Sequence, residues 1–599
     1  MNRTIAAATL LALAAPALAA PDYRARLPQD EVIYFVLPDR FENGDTSNDR
    51  GGLTGDRLKT GFDPTSKAFY NGGDIKGLIK RLDYVQGLGA TALWVAPIFK
   101  NKPVQGPKGN ESSGYHGYWI TDFTRVDPHF GTNADFKALV DAVHARGMKF
   151  YMDIVANHTA DVLFPAECER KNHCPYRSIA DYPYQRRGGP EGKAINSGFS
   201  GERDGSATNF AKLTDPNYAY TIKVAPAEKD IKRPAWLNDP IYYHNRGDST
   251  FRGESSTMGD FVGLDDIYTE NPRVVQGMVD IYADWIHKYR VDGFRIDTAQ
   301  HVNPEFWQKF VPAMLARARA DGIPNFHIFG EVATSDMDPA HTAANTRVDK
   351  LPSVLDFPFA RAVIDVVADG AATDELAKLF RADPLYEGGA TAALELPTFL
   401  GNHDAGRIGA FIRRAQPKAS ADEVLRRDIL AHAMLLTLRG VPTIYSGDEQ
   451  GFAGKGGDQD ARQDMFASQV ATYNEDSLIG TASTTAQANF ETNHPIYREI
   501  AKLARIRTTH AALTRGPQLV RYSSDKAGLL AMSRFDPVSG REMLLLFNTS
   551  KEPLRQNVRV ETRSAQFDTL AGPCPKEAQA PGSVAVELPP LSYAVCDAR

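Results

Sequence analysis

Eight short apolar runs along the chain each end in polar residues, and amphipathic segments separate most of them. The runs are rich in β-branched and aromatic residues, which favours buried strands. Residues 133–147 and 271–290 repeat apolar positions every three and four residues, which predicts helices. Strands that alternate with helices form parallel sheets, and eight such units predict an α/β protein with a (β/α)8 TIM barrel. The predicted strands lie in residues 32–41, 90–97, 149–158, 293–297, 327–332, 353–357, 397–404 and 441–449.

Two segments interrupt this alternation. Residues 159–265, after the third strand, are rich in Gly, Pro, Tyr and charged residues. A connection of that length rarely lacks structure of its own, which predicts an inserted domain. Residues 515–599 change to short alternating strands with polar turns, which predicts a C-terminal antiparallel β domain. The barrel would then comprise residues 21–158 and 266–514.

Composition, the N-terminal sequence and the cysteines narrow the possible binding partners and the cellular compartment. The formal net charge is −6 with no dense basic stripe, which argues against nucleic acid and anionic membranes as partners. Residues 1–20 combine Arg3, a short apolar run and the small-residue box Ala17-Leu18-Ala19, which predicts a cleaved signal peptide. We therefore expect an exported chain, periplasmic or extracellular. The two close cysteine pairs, Cys168 with Cys174 and Cys574 with Cys596, favour local disulfides in an oxidising compartment, and free thiols are the alternative.

Three carboxylates follow predicted barrel strands. Asp297 ends strand four, Glu331 ends strand five and Asp404 ends strand seven. Barrel chemistry gathers at the C-terminal ends of the strands, so these side chains should share one pocket. Two carboxylates that flank a scissile bond are what glycoside cleavage requires. A single such Asp is more often a helix cap or a salt-bridge partner, but three at separate strand ends favour a catalytic site.

Six motifs in chain order resemble those of the α-amylase superfamily, glycoside hydrolase family thirteen. The resemblance covers nearly the whole mature chain. It implies that the insertion is the family's domain B and that the C-terminal segment is its domain C. The motifs are GATALWVAP (89–97), DIVANH (153–158), GFRIDTAQH (293–301), GEV (330–332), FLGNHD (399–404) and GVPTIYSGDEQG (440–451).

The resemblance implies a role for each acid. Asp297 would be the nucleophile, Glu331 the general acid/base and Asp404 the stabiliser of the transition state. A neighbouring guanidinium lowers a carboxyl pKa, so Arg295 should hold Asp297 ionised, and Glu331 should have the higher pKa. The family's sugar contacts would come from the segments GYHGYW (114–119) and GDQDAR (457–462) and from two histidines. The implied substrate-binding residues are His116, Tyr118, Trp119, His158, Arg295, His403, Asp458 and Arg462.

Two calcium sites are expected. The segment DRFENGDTSND, followed by NGGD, is dense in short oxygen side chains around glycines, which suits calcium, although a polar turn is the alternative. It resembles a calcium loop of cyclodextrin glycosyltransferases and related amylases. A second family site would join the insertion to the barrel through Asn157, Asp266 and the carbonyl of His301, with Asp265 as a competitor. The ligands expected in the first site are Asn43, Asp45, Asn48, Asp49, Gly72 and Asp74.

The resemblance implies a monomeric, secreted, retaining α-amylase that hydrolyses α-1,4-glucosidic bonds in starch or maltodextrins. Alternatives on the same scaffold are an α-glucanotransferase, a cyclomaltodextrinase or maltogenic-type enzyme, and a non-catalytic carbohydrate-binding member. Because no segment follows the C-terminal β domain here, we expect an α-amylase and not a cyclodextrin glycosyltransferase with extra domains. Gln300 stands where α-amylases usually carry Lys, which leaves acceptor binding open.

Overall fold

A computed structural model describes residues 22–168 and 173–599. The predicted signal peptide, residues 1–20, lies outside the described residues. Within the described ranges, no helix has both the length and the apolar character needed to cross a membrane.

Eight parallel strands form the predicted barrel, in the order β6-β5-β4-β3-β2-β1-β8-β7. Every residue of these strands is buried, which explains why most of them lie in largely apolar runs of the sequence. The ends of the sheet, β6 and β7, approach each other where the Asp356 N–H donates to the carbonyl of Pro397 at 2.9 Å. The strands are β1 Ile33–Val36, β2 Ala92–Val95, β3 Lys149–Ile154, β4 Gly293–Ile296, β5 His327–Gly330, β6 Ser353–Val354, β7 Pro397–Thr398 and β8 Val441–Tyr445.

Helices cover the outside of the barrel. The two predicted from periodicity form over Asn133–Ala145 and Pro272–Tyr289. Thr132 caps the first with a capping box to Asp135, and Asn271 caps the second ahead of Pro272. The other helices of eight or more residues are Pro304–Ala320, Pro339–Arg347, Phe357–Ile364, Asp374–Arg381, Ile408–Ala415, Ala421–Thr437 and Pro495–Thr509, and the shorter ones are Arg57–Thr60, Ile75–Lys80, Leu82–Gly87, Ala207–Phe210, Ser255–Met258, Gly389–Ala392, Ala471–Asn474 and Ala511–Thr514.

The segment between β3 and the helix Pro272–Tyr289 is irregular and has a small core of its own. Leu163–Pro165 pairs antiparallel with Ile222–Val224, and aromatic side chains supply much of the packing. The disulfide Cys168–Cys174 joins this core, with its Cα atoms 5.6 Å apart. Its pairing is the one expected from the sequence. Two short strands, His158–Thr159 and Asp265–Asp266, connect the start and end of the segment beside the barrel mouth.

The C-terminal region contains two antiparallel sheets, as its alternating pattern predicted. A five-stranded sheet has the order β9-β10-β11-β15-β13, and β12 pairs with β14. The second expected disulfide, Cys574–Cys596, fixes the last strand and has its Cα atoms 5.7 Å apart. The strands are β9 Gln518–Tyr522, β10 Leu529–Phe535, β11 Glu542–Asn548, β12 Leu554–Arg559, β13 Phe567–Ala571, β14 Ser583–Leu588 and β15 Ser592–Ala598.

Candidate active site

A cleft of about 1050 Å³ opens at the C-terminal ends of the barrel strands. Its walls come from the barrel, from the segment 104–113 and from the end of the insertion. Two predicted substrate contacts, Arg295 and His403, lie beneath its surface, each with a side chain only 1% exposed. The predicted site residues that line the cleft are His116, Tyr118, Trp119, His158, Asp297, His301, Glu331, Asp404, Asp458 and Arg462.

Register places two of the acids side by side. Ile296 on β4 pairs with Gly330 on β5, so the next residues, Asp297 and Glu331, leave neighbouring strands at the same level. One guanidinium binds both carboxylates: Arg295 Nη1 lies 2.9 Å from Asp297 Oδ1, and Nη2 lies 2.8 Å from Glu331 Oε2. The Thr298 N–H donates to Glu331 Oε2 at 3.0 Å. Arg295 therefore orients both acids at the floor of the cleft.

Arg295 has a third carboxylate partner. It pairs in register with Asp153 on β3, and its Nη1 lies 2.9 Å from Asp153 Oδ1. Asp153 also accepts from Trp94 Nε1 at 3.1 Å. Burial raises the pKa of Asp153 to about 8, although Arg295 opposes the rise. These contacts fix the guanidinium, whose Nη1 binds both Asp153 and Asp297 while its Nη2 binds Glu331.

The environment drives the pKa values of the three acids apart. Burial raises the pKa of Glu331 to about 7; Arg295 opposes the rise, and the carboxylates of Asp297 and Asp404 add to it. Burial also raises the pKa of Asp297 above its ordinary value, despite Arg295. The low pKa expected for Asp297 is not found, because the effect of burial is larger than that of Arg295. At Asp404, whose side chain is half exposed, partial loss of solvent raises the pKa less than His403, Arg462 and Arg295 lower it, and the value falls to about 2.

Asp404 lines the same cleft as the pair, with its side chain 49% exposed. Arg462 Nη2 lies 2.8 Å from Asp404 Oδ1 and 2.7 Å from Asp458 Oδ1. The same guanidinium donates to the carbonyl of His403 at 2.9 Å and to the hydroxyl of Tyr115 at 3.1 Å. Arg462 thus connects the third acid to Asp458, another implied substrate contact.

Tyr118 lines the cleft, and hydrogen bonds of its hydroxyl fix the position of its ring. This oxygen lies 2.9 Å from His403 Nε2 and 3.2 Å from Asp153 Oδ2. The preceding Gly117 has φ +91°, and a Cβ there would lie 1.9 Å from the carbonyl of Pro97. Only glycine fits this turn, which sets the position of Tyr118. His116 stacks on the other side of Tyr118, with ring centroids 5.6 Å apart.

His158 offers a buried polar atom to the cleft. Its Nε2 is buried and lacks a hydrogen-bond partner among the described residues. Burial lowers the pKa of His158 to about 3, so the ring is neutral and can donate or accept one hydrogen bond. A sugar hydroxyl is a suitable partner, because an unpaired buried polar atom is costly.

Several site residues were not identified from the sequence. Phe261 lines the cleft and stacks on His158 at 5.6 Å between centroids. Tyr115, part of the motif GYHGYW but not among the implied substrate contacts, anchors Arg462 through its hydroxyl. Thr298, in a left-handed conformation with φ +48°, supplies the N–H to Glu331. No periodic or spacing signal marks these residues, because each contact joins segments distant in the chain. Gln300, noted only as a departure, lines the cleft and accepts from His341 Nε2 at 3.1 Å.

The first predicted calcium loop fits a cation with oxygen ligands. Asn43 Nδ2 donates to Asp49 Oδ1 at 2.9 Å, while Oδ1 of Asn43 and Oδ1 of Asn48 are buried without a hydrogen-bond partner in the described residues. Gly72 brings the backbone close: a Cβ there would lie 3.0 Å from Asp49 Oδ1. Unpaired amide oxygens beside a carboxylate are the hard ligands that calcium prefers.

The other two acids of the loop have additional partners. The carboxylate of Asp74 accepts from the backbone N–H groups of Gly44, Asp45 and Gly77, and so caps the helix Ile75–Lys80. The carboxylate of Asp45 accepts from Lys76 Nζ at 2.6 Å. Within the described ranges, no three His, Cys, Asp or Glu side chains are grouped to hold a metal. A cation in this loop would therefore depend on amide and carbonyl oxygens.

The second predicted calcium site lies where the insertion meets the barrel. Asp266 Oδ2 lies 2.6 Å from His244 Nδ1. The competitor Asp265 is paired with Lys232 Nζ at 2.5 Å. The side chain of Asn157 faces His158 Nδ1 at 3.3 Å. Asp266 Oδ1, the side-chain oxygen of Asn157 and the carbonyl of His301 accept no hydrogen bond within the described residues, so the second calcium site stays a prediction.

Comparison with known proteins identifies the family. The model of the alpha amylase catalytic domain matches residues 35–516. An alpha-amylase of Streptomyces lividans is 46% identical over 566 residues, covering 92% of this chain and 60% of that protein. The chain thus spans less than two thirds of the length of this relative.

Two solved structures align over almost the full chain. The alpha-amylase of Geobacillus thermoleovorans, complexed with acarbose, is 25% identical with a TM-score of 0.67, covering 96% of this chain and 99% of that one. A cyclomaltodextrin glucanotransferase with a three-domain ABC distribution is 25% identical with a TM-score of 0.69, covering 95% and 99%. Domain number therefore does not separate the two activities. With the barrel, the clustered acids and the matched catalytic domain, the chain belongs to the alpha-amylase family of glycoside hydrolases.

Proposed function

We propose that the protein hydrolyses α-1,4-glucosidic bonds in starch or maltodextrins with retention of configuration. The observation that supports this best is the pairing of Asp297 and Glu331 on one guanidinium, in a cleft that Asp404 also lines. A relative of similar fold, an alpha-amylase, was solved in complex with acarbose, which supports a glucan ligand here.

In this proposal Asp297 attacks the anomeric carbon from one side of the sugar. Glu331 gives its proton to the leaving oxygen and then takes a proton from the incoming water. A pKa near 7 suits both tasks, because the carboxyl is protonated before the first step and exchanges its proton readily. Asp404, held ionised by Arg462, stabilises the positive charge that develops on the ring.

The stereochemistry of the product and the activity of substituted variants test this proposal. Replacing Asp297 by Asn should lower kcat by at least about 10⁴-fold, since the nucleophile is lost, and NMR of the first wild-type product should show the α-anomer. Asp141→Asn, an exposed helix position, is the matched control. A β-anomer, or full activity of the Asp297 variant, would refute the assignment.

A glucanotransferase is the second candidate. The observations in its favour are the three-domain glucanotransferase relative and the apolar contribution of Phe261 to the cleft wall, which suits a sugar acceptor over water. Maltoheptaose digestion separates the two reactions. Hydrolysis gives shorter products only, whereas transfer gives longer or cyclic ones.

We also propose that Ca²⁺ binds the loop of Asn43, Asn48 and Asp49 and ties it to the Gly72 backbone. A ligand that binds only the folded chain stabilises it, by about 2.7 kcal/mol at a hundred times its Kd. A chelator should therefore lower the Tm, and Asn43→Ala/Asn48→Ala should remove that response. An unchanged Tm in the chelator would contradict the proposal.

The domain limits and the compartment remain proposals. The barrel would comprise residues 21–158 and 266–514, with domain B at 159–265 and domain C at 515–599. Two disulfides agree with export to an oxidising compartment, periplasmic or extracellular. Limited proteolysis and sedimentation of the purified protein would test the limits and the monomeric state.

A further inference from the structure

A row of aromatic rings leads from the inside of the cleft to the protein surface. His158 lines the cleft, and Phe261 stacks on it with ring centroids 5.6 Å apart. Phe251 continues this aromatic row, because its ring centroid lies 5.3 Å from that of Phe261 and 5.6 Å from that of His301. The exposed fraction rises along the row, from 1% at His158 to 47% at Phe251. The aromatic row therefore begins inside the cleft and ends in solvent.

The outer end of the row is an exposed apolar surface. Neither Phe261 nor His301 stacks flat on Phe251, since their ring planes are inclined to it by 81° and 69°. Val262, which directly follows Phe261 and also lines the cleft, is 77% exposed. Single exposed apolar side chains are common, but neighbouring ones at the rim of a cleft are typical of a ligand-binding surface.

The loop that carries Phe251 holds the ring in place. The backbone of Phe251 is left-handed, with φ +58°, which is unfavourable for a bulky residue and persists only where the surroundings enforce it. The Phe251 N–H donates to Ser249 Oγ at 2.9 Å, and that hydroxyl donates to the carbonyl of Ser255 at 2.7 Å. The Thr250 N–H donates to Ser255 Oγ at 3.1 Å. Gly259 lets the chain pass close by, because a Cβ there would lie 2.7 Å from Ser249 Cα.

We propose that Phe251 stacks on a glucose unit of an α-glucan chain that extends out of the cleft, so that the protein prefers chains long enough to reach this ring. The inference rests on the glucan substrate proposed above. One face of a glucose ring consists largely of C–H groups, and it loses contact with water when it lies on an aromatic ring. The occupant is the chain that fills the cleft, because the aromatic row is continuous with the cleft wall. Since the loop fixes Phe251 in advance, binding orders little of the protein.

Binding of two glucans of different length tests this inference. In the Asp297→Asn background, which prevents turnover, calorimetry gives the Kd of maltotriose and of maltodecaose. The longer glucan should bind more tightly, and Phe251→Ala should reduce this gain by about tenfold, as expected for the lost burial of an aromatic side chain. Phe251→Tyr keeps the ring and should keep the gain. Leu519→Ala is the matched control, because that side chain is 45% exposed in the C-terminal domain, and it should also keep the gain.

Two results would overturn the proposal: an unchanged gain in Phe251→Ala, or an equal loss of affinity for both glucans, which would assign the ring to the cleft alone. If the alanine variant does not fold, Phe251→Leu keeps the apolar bulk without a flat ring and should lose the gain instead. Cleavage of maltodecaose by the unmodified chain is measured separately. Length-dependent binding through Phe251 without cleavage would refute the proposed hydrolysis and support the glucose contact. Cleavage without any effect of Phe251 on the gain would refute the contact alone.

Discussion

Replacing Glu331 by Gln should make the protein more stable at pH 8 while abolishing turnover. Glu331 sits at the floor of the cleft with a side chain 11% exposed, and its pKa rises from an ordinary 4.5 to about 7. Below pH 4.5 both folded and unfolded chains carry the proton, so ionisation costs the fold nothing. Between pH 4.5 and 7 the unfolded chain releases the proton while the folded chain retains it. Stability therefore falls as the pH rises through this window.

The size of the effect follows from the difference in pKa. Each pKa unit corresponds to about 1.4 kcal/mol, so the ionisation of Glu331 costs about 3 kcal/mol above pH 7. Unfolding entropy of about 2 cal/mol/K per residue gives roughly 1.3 kcal/mol/K for a chain of this length. The variant should therefore melt about 2 °C higher than wild type at pH 8, with no difference at pH 4.

Calorimetry across this pH range measures the difference directly. Glu191→Gln, at an exposed position in the insertion, is the control for the chemical change alone. If the Glu331 and Glu191 variants showed the same pH-independent offset from wild type, burial would not be what sets the protonation of Glu331. The assignment of that residue as the proton donor would then lose its physical basis.

Three further predictions concern other parts of the molecule. Gly117→Ala places a Cβ against the carbonyl of Pro97 and should shift Tyr118, which should lower kcat/KM by about 100-fold. Gly109→Ala is the control, because Gly109 has a similar φ of +89° but no atom within 4 Å of the added Cβ. Equal activities of the two variants would contradict the role of the turn. Arg462→Met removes a cation from Asp404, so the pKa of Asp404 should rise and the acid limb of the kcat/KM profile should move to higher pH; an unmoved limb would show that Arg462 does not act on Asp404. Replacing Cys574 and Cys596 by Ser should cost about 3 kcal/mol of unfolding free energy, against about 2 kcal/mol for Cys168 and Cys174, because the longer separation of 22 residues restrains the unfolded chain more than one of 6. Equal losses in urea titration would count against this chain-entropy explanation.

The barrel was predictable because its strands are buried on both faces. Most strands therefore lie in largely apolar runs, and each of the eight predicted runs contains one barrel strand. The acids were predictable for a related reason: Asp297 and Glu331 directly follow residues that pair across β4 and β5. Patterns that are local in the sequence therefore predict both the strands and the acids that follow them.

Contacts between distant segments were not predictable. His244 and Asp266 are 22 residues apart in an irregular segment, and nothing near Asp266 in sequence indicates that a histidine will occupy its carboxylate. The expectation of a low pKa for Asp297 was wrong for the same reason. Its neighbour Arg295 is visible in the sequence, but the burial that outweighs it arises from the whole fold.

The ring of barrel strands has one weak seam. Between β6 and β7 the backbone connection described above is a single hydrogen bond, from Asp356 to Pro397. Asp404 follows β7, on one side of that seam, whereas Glu331 and Asp297 follow β5 and β4, on the other side. Transient opening there would move the third acid away from the sugar without disturbing the first two, and amide hydrogen exchange at Asp356 would report how often this happens.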